Sequence, residues 1–196
     1  MVLGHSIGDH LALELANLTR TFEGMRSDTL AEAARLIAEA PRVWCLGFGS
    51  EEGPARLARL TFARLRPDVH LLGTHQGSWA EDLAMTGPRD ALILLTLDPR
   101  PKVQPALMAF ARTTRINVNT LTDHQYFARA QRFSRLVIPC HVASDGAIPS
   151  HTSLTSVIRL IAIAFVGHAG EAASQRMSVT DDINEEIDLT DSRRPA

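Results

Sequence analysis

One run limits the fold of this chain more than any other. Ala91-Leu92-Ile93-Leu94-Leu95-Thr96-Leu97 is apolar at all positions but Thr96, and Asp98-Pro99-Arg100-Pro101 cuts it off. A strand with one face in water alternates apolar and polar residues, so a run without alternation predicts a strand covered on both faces. That is the central strand of a parallel sheet with helices above and below it.

The flanking sequence repeats the theme. Arg42 to Gly47 is a short apolar strand, followed by the glycine loop Gly47-Phe48-Gly49-Ser50 and a helical pattern over 53–65. Asp68 to Leu72 predicts a second strand. Ser78 and Glu81 form a capping-box pattern at the start of a short helix. A helix follows Pro101 through Arg112, then a strand over Arg115 to Leu121, a short helix over 124–130, and a fifth strand over Arg135 to Pro139. Strands alternating with helices of this length predict βαβ crossovers. The expected class is α/β, a three-layer α/β/α sandwich with a five-stranded parallel sheet of flavodoxin-like topology.

Ahead of the sheet, Ile7, Leu11, Leu15, Leu18 and Phe22 recur at spacings of three and four, a helical stripe. Ser27 is placed to cap a second helix, Asp28 to Ala40, which Pro41 stops. The organisation predicted is a helical lead-in over 1–40 packed on the domain, the sheet domain over 41–170, and an acidic segment over 171–196. In that last segment Asp181, Asp182, Glu185, Glu186, Asp188 and Asp191 interrupt Ile183, Ile187 and Leu189. It reads either as a partly ordered tail or as a helix docking on a partner subunit.

Composition excludes several classes. A formal net charge of -2 argues against direct nucleic-acid contact. Cys45 and Cys140 lie in apolar runs and predict inert buried thiols, not a disulfide framework. No metal-ligand spacing is present, and neither a metal nor a cofactor is expected. Residues 1–13 carry His5, Asp9 and His10 and do not form a secretory signal. The apolar stretch Leu154 to Val166 is short and contains Arg159, so it predicts a buried helix, no membrane association and a cytoplasmic location.

In an open parallel sheet, ligands bind beyond the carboxyl ends of the strands, near the point where strand order reverses. The loops there are therefore the candidates. Gly47 and Gly49 permit a tight turn with backbone N–H groups at a helix start, where an anion can sit. Glu51 and Glu52 follow directly and would repel a phosphate. The loop lacks the third glycine of a dinucleotide fingerprint. After the central strand, Thr96 offers a hydroxyl, and Arg100 and Lys102 can pair with phosphate or carboxylate oxygens, while Asp98 opposes them or accepts from a sugar hydroxyl. Thr120, Thr122 and Asp123 end the fourth strand, and Thr122 or Asp123 can cap the following helix. Ser144, Asp145, Ser150, His151, Thr152 and Ser153 precede the last long helix. His151 can shuttle protons near neutral pH, and His75 is a weaker candidate. If the chain is an enzyme, Glu51, Glu52 and His151 are the candidate acid–base groups.

The segments 43–65 (VWCLGFGSEEGPARLARLTFARL), 90–111 (DALILLTLDPRPKVQPALMAFA) and 116–123 (INVNTLTD), with the serine-rich approach to the last helix, resemble the sugar isomerase (SIS) domain of the RpiR/MurR-type transcriptional regulators. The opening 10–40 and the C-terminal 181–188 resemble that domain's helical lead-in and terminal helix. The resemblance implies a five-stranded parallel sheet, a dimer or tetramer, and binding of phosphosugars, which some members isomerise and the regulators only sense. The regulators also carry a helix-turn-helix domain. The resemblance begins within the first residues, so a chain without that domain is expected. It implies ligand contacts at Gly47, Gly49, Ser50, Glu51, Thr96, Asp98, Arg100, Lys102, Thr122, Ser150 and Ser153. Glu51 stands where the family has serine, and Asp98 and Pro99 replace the family's usual residues in the second loop. The readings are thus an effector-sensing phosphosugar-binding domain of a regulator or a stand-alone protein, an aldose–ketose phosphate isomerase, or an interaction domain with a degenerate site.

Overall fold

The computed structural model describes residues 6–73, 79–144 and 148–187. His75, Ser78, Asp145, Asp188, Leu189 and Asp191 lie outside the described residues.

Five strands, β1 (Val43–Gly47), β2 (Val69–Leu71), β3 (Ala91–Thr96), β4 (Asn117–Asp123) and β5 (Leu136–Cys140), form a parallel sheet in the order β2-β1-β3-β4-β5. β3 lies at its centre, with all six residues buried. β2 and β4 start later than the residue pattern predicts. Asp68 and Arg115 have φ of 56° and 60°, a left-handed turn conformation that ends the preceding helix unit and cannot continue into a pleated strand. β4 runs on through Asp123, so Thr122 and Asp123 belong to the strand end.

Alternation along each strand feeds two separate cores. Val43, Cys45, Ile93, Leu95 and Leu121 face one layer, and Trp44, Leu46, Leu92, Leu94 and Val118 the other. The first layer holds α2 (Ser27–Glu39), α3 (Glu52–Ala63) and α7 (Thr152–Ala169), joined by Phe22 of α1 (Ile7–Glu23) and Ala173 of α8 (Glu171–Glu186). The second holds α4 (Trp79–Met85) and α5 (Gln104–Thr113), and α6 (Phe127–Ala130) lies in the crossover to β5. The predicted sandwich is the fold observed. By length and composition alone α7 could cross a membrane. Its Leu154, Val157, Ile158, Ile161 and Phe165 are instead packed in the core, as the sequence predicts.

One helix start differs from the sequence reading. Ser27 does not cap α2: it is the first helical residue, and Arg26 takes the cap position, gripping Asp28 through its guanidinium at 3.0 and 2.6 Å. A capping box closes α1 instead, where Ser6 Oγ accepts from the Asp9 N–H and Asp9 accepts from the Ser6 N–H. The acidic segment is helical through Glu186, and Arg64 of α3 pairs with Asp181.

The orientation of α1 follows from its polar residues. An apolar stripe ordinarily faces the core. Here Ile7, Leu11 and Leu15 are 91%, 56% and 53% exposed, and the fully buried residues of α1 are Asn17 and Thr21. They serve the chain that leaves β5. Asn17 donates from Nδ2 to the Ala143 carbonyl (2.8 Å) and accepts at Oδ1 from the Ala143 N–H (3.1 Å), while Thr21 Oγ1 accepts from the His141 N–H (2.9 Å). Among the described residues no strand lies beyond β5 for that partly exposed backbone to pair with, and unpaired edge N–H and C=O groups seek other partners. Two polar side chains on a helix supply them, so α1 is docked by hydrogen bonds at the edge of the sheet.

Candidate functional site

The strand order reverses between β1 and β3, and the loops leaving β1, β3 and β4 meet there with the start of α7. The β1 loop turns back sharply. A Cβ on Gly47 would stand 2.1 Å from the Glu51 carbonyl oxygen, and Gly49 has φ of 57°, so both positions require glycine. The tight turn drives Glu51 inward until it is 5% exposed. A buried carboxylate needs partners. Ser50 Oγ donates to Glu51 Oε1 at 2.7 Å, and His151 Nε2 lies 3.1 Å from the same oxygen. His151 comes from the far side of the chain, at the N-cap of α7. Next to it Ser150 Oγ donates to Glu14 Oε2 of α1 at 2.8 Å and accepts from the Thr152 N–H at 3.3 Å. Glu51, Ser50 and His151 form one hydrogen-bonded set and Ser150 with Glu14 another, adjoining through the neighbouring residues 150 and 151 at the end of β1 and the start of α7.

A second group sits at the ends of β3 and β4, where Thr96 and Thr122 are paired in register. Thr96 Oγ1 donates to Gln104 Oε1 (2.8 Å), and Thr122 Oγ1 donates to the Thr96 carbonyl (2.7 Å). Arg100 lies over the Tyr126 ring, its Cζ 4.0 Å from the centroid, a cation–π geometry. Its Nη2 pairs with Asp123 Oδ2, and its Nη1 reaches Asp98 Oδ1 at 3.3 Å. Asp123 Oδ1 also accepts from the Tyr126 N–H at 3.0 Å, which closes the turn before α6; the N-cap position of α6 is Tyr126, so neither Thr122 nor Asp123 is the expected cap. Gln104 Nε2 donates to the Tyr126 hydroxyl at 3.3 Å. Arg100 Nε is buried and has no partner among the described residues.

Residue by residue, the geometry sorts the candidates. Gly47, Gly49, Ser50, Glu51, Ser150 and His151 are brought together, and Thr96, Asp98, Arg100 and Thr122 form the neighbouring group. Glu52 stays outside: it is exposed and pairs with Arg56 at 2.6 Å. Lys102 is exposed. Ser153 is fully buried with its Oγ unpartnered among the described residues. Glu14, Gln104 and Tyr126 are additions that residue-by-residue reading of the loops does not single out, and Asp123, expected there only as a possible cap, joins the second group. Glu14 carries a signal, since Glu14, Asn17 and Thr21 form a polar stripe at spacings of three and four.

Chemically the first group is an acid–base pair: a buried carboxylate in contact with an imidazole can accept a proton and pass it on. The second is an oxyanion group, since a guanidinium offers paired donors matched to phosphate or carboxylate. Apart from Arg100 Nε, however, the serine and arginine donors named above already have acceptors among the described residues, and these are the carboxylates Glu14, Glu51, Asp98 and Asp123. A concavity of about 800 Å³ lies elsewhere, between α3 and α7, lined by Leu57, Leu60 and Ile163 together with Thr61, Arg64 and Arg159. The loop ends remain the candidate site because open parallel sheets bind ligands where strand order reverses.

No protein-family model and no curated protein matches this sequence. Solved structures do. The sugar isomerase domain of the RpiR transcription factor from Sphaerobacter thermophilus superposes with a TM-score of 0.81 at 19% identity, covering 89% of this chain and 97% of that one. The Vibrio vulnificus NanR protein, solved in complex with ManNAc-6P, gives 0.80 at 13% identity over 96% of this chain and 72% of that one. The Methanococcus jannaschii protein MJ1247, whose structure infers a 3-hexulose-6-phosphate isomerase function, gives 0.66 at 14% identity over 86% and 93%. The resemblance read from the loop and strand segments thus holds across the fold, and the chain has the architecture of the sugar isomerase domain of RpiR-type regulators.

Proposed function

We propose that this chain binds a phosphorylated sugar or a closely related carbohydrate derivative at the ends of β1, β3 and β4. We read it as the effector-sensing part of a transcriptional regulator or as a stand-alone protein of this fold. The observation that carries the reading is the pairing of two complementary groups at the strand-order reversal. Arg100 is the oxyanion partner, and Ser50, Glu51, Ser150 and His151 can hydrogen-bond sugar hydroxyls. The complex of NanR with ManNAc-6P supports it from outside. Glu51 is a buried carboxylate, which would argue for a degenerate site if it stood alone. Its contacts with Ser50 and His151 weaken that argument. Calorimetric titration against a panel of phosphosugars tests the proposal. Heat from at least one member is expected, and no heat from any member with folded protein refutes it.

A second reading is aldose–ketose phosphate isomerisation, favoured specifically by the 3.1 Å contact between Glu51 and His151. The reaction moves a proton between adjacent carbons, and a buried carboxylate backed by an imidazole is suited to take and return it. If any phosphosugar is turned over, Glu51→Gln lowers kcat by roughly 10²-fold or more. Unchanged turnover removes Glu51 as the base.

The exposed apolar residues of α1 (Ile7, Leu11, Leu15) and α8 (Val179, Ile183) support self-association as a dimer or tetramer. A cytoplasmic setting fits a phosphosugar ligand.

A further inference from the structure

Arg100 is the cation best placed for an anionic ligand, and it is already occupied. Its guanidinium pairs with Asp123, which is 9% exposed, and more loosely with Asp98, whose side chain is 81% exposed. The two carboxylates differ in kind. Asp98 is a solvated charge that contributes little to holding the arginine. Asp123 is fixed at the end of β4 by its register with Cys140 and by the Tyr126 N–H it accepts. Beneath the guanidinium, the Tyr126 ring is braced through its hydroxyl by Gln104, which Thr96 also holds. The ring is thus held through its hydroxyl, and the guanidinium lies over it with Cζ 4.0 Å from its centroid. Of its five N–H donors, the one on Nε has no partner among the described residues.

We propose that Asp123 is an internal competitor for the anion site, holding on Arg100 the place that the ligand's phosphate takes, and so sets the affinity and the charge threshold of the pocket. A phosphate dianion carries more charge than one carboxylate and accepts in the bidentate manner a guanidinium favours. It therefore displaces Asp123, whereas a singly charged carboxylate ligand gains nothing by the exchange. Release leaves Asp123 largely buried with only the Tyr126 N–H for support, and that penalty weakens phosphate binding in the native protein. This inference rests on the reading that Arg100 meets the ligand's anion.

The test uses inorganic phosphate as probe. Tyr126 is the only tyrosine in the chain, so 3-fluorotyrosine gives a single ¹⁹F signal directly under Arg100. Phosphate titration is expected to shift that signal in the native protein, and acetate is not. In Asp123→Asn, which keeps the acceptor for the Tyr126 N–H, phosphate should bind at least about tenfold tighter, because one competing charge-assisted hydrogen bond is gone. Arg100→Gln should abolish the response in both backgrounds. Unchanged or weaker phosphate binding in Asp123→Asn overturns the proposal. An acetate response equal to that of phosphate in the native protein also overturns it, without needing any variant to fold. The two readings fail separately. A phosphosugar bound with native affinity by Arg100→Gln keeps the binding function and sinks the competitor. An Arg100-dependent gain for phosphate in Asp123→Asn, with no phosphosugar bound, keeps the competitor and sinks the function.

Discussion

Removing the Asn17 side chain should destabilise the protein, although Asn17 sits on what composition marks as the wetter side of a helix. Asn17 is 2% exposed and gives Ala143 both a donor and an acceptor, at 2.8 and 3.1 Å. A neutral hydrogen bond contributes about 1 kcal/mol net, so the pair is worth about 2 kcal/mol. Ala143 is exposed, which lets water replace part of the loss. Alanine's better helix propensity offsets about 0.5 kcal/mol more. Asn17→Ala should therefore cost about 1 kcal/mol, within the usual range for a lost buried polar partner. Asn17→Asp should cost more, because the donor is replaced by an oxygen facing the Ala143 carbonyl. Asn17→Leu fills similar space without either bond and should be at least as destabilising as alanine. Urea unfolding reads these as shifts in midpoint at unchanged slope. A leucine variant as stable as the native protein would refute the argument that α1 is docked by hydrogen bonds.

Further outcomes follow from the same structure. Burial pushes the Cys45 and Cys140 thiols up to about 12, so neither should react with a thiol reagent at pH 8 while the protein is folded. Because the folded state holds those protons more tightly than the ordinary value of 9.0, their contribution to stability is full below pH 9 and falls as pH rises toward 12. His141 is shifted the other way: burial, then His124, whose ring lies 4.1 Å away, and Arg20 hold its pKa below 6.5. Below pH 6.5 the unfolded chain takes a proton that the folded chain resists. Stability is therefore lost as pH falls through that window, and His141→Asn should flatten the acid limb of a denaturation profile. Leu11→Gln with Leu15→Gln should shift sedimentation equilibrium toward monomer, leaving the melting of the monomer near the native value.

Most of the fold is legible in the sequence because strand periodicity and turn residues are local. The Ala91–Leu97 run, the glycine loop after β1 and the prolines after β3 each report on their own surroundings. The orientation of α1 is not legible. Hydrophobicity ranks Leu11 and Leu15 above Asn17 and Thr21, but the surface that α1 meets is unpaired backbone at the edge of β5, and backbone is matched by polar groups. Ser27 misleads for a smaller reason: serine is favoured at a cap, yet Arg26 and Asp28 reach each other across the helix start and settle the turn one residue earlier. At the site, the loop residues are legible by type and their partners are not. Nothing local to Glu51 indicates that His151, a hundred positions on, will meet it. Asp123 reads as a helix cap; one of its oxygens instead closes the turn before α6 and the other holds Arg100, which comes from the loop after β3. The carboxylates that oppose an anion in the bare loop sequences thus have hydrogen-bond partners within the chain.

A phosphosugar seated at the strand-order reversal should leave its imprint on the loops that line it. The most direct measurement is amide hydrogen exchange with and without the panel member that gives the largest heat. Protection is predicted at the amides of 48–52, 97–104 and 150–154, the loops that carry Glu51, Arg100 and His151. Protection confined to the groove between α3 and α7, around Leu60 and Ile163, with those loops unchanged, would contradict it.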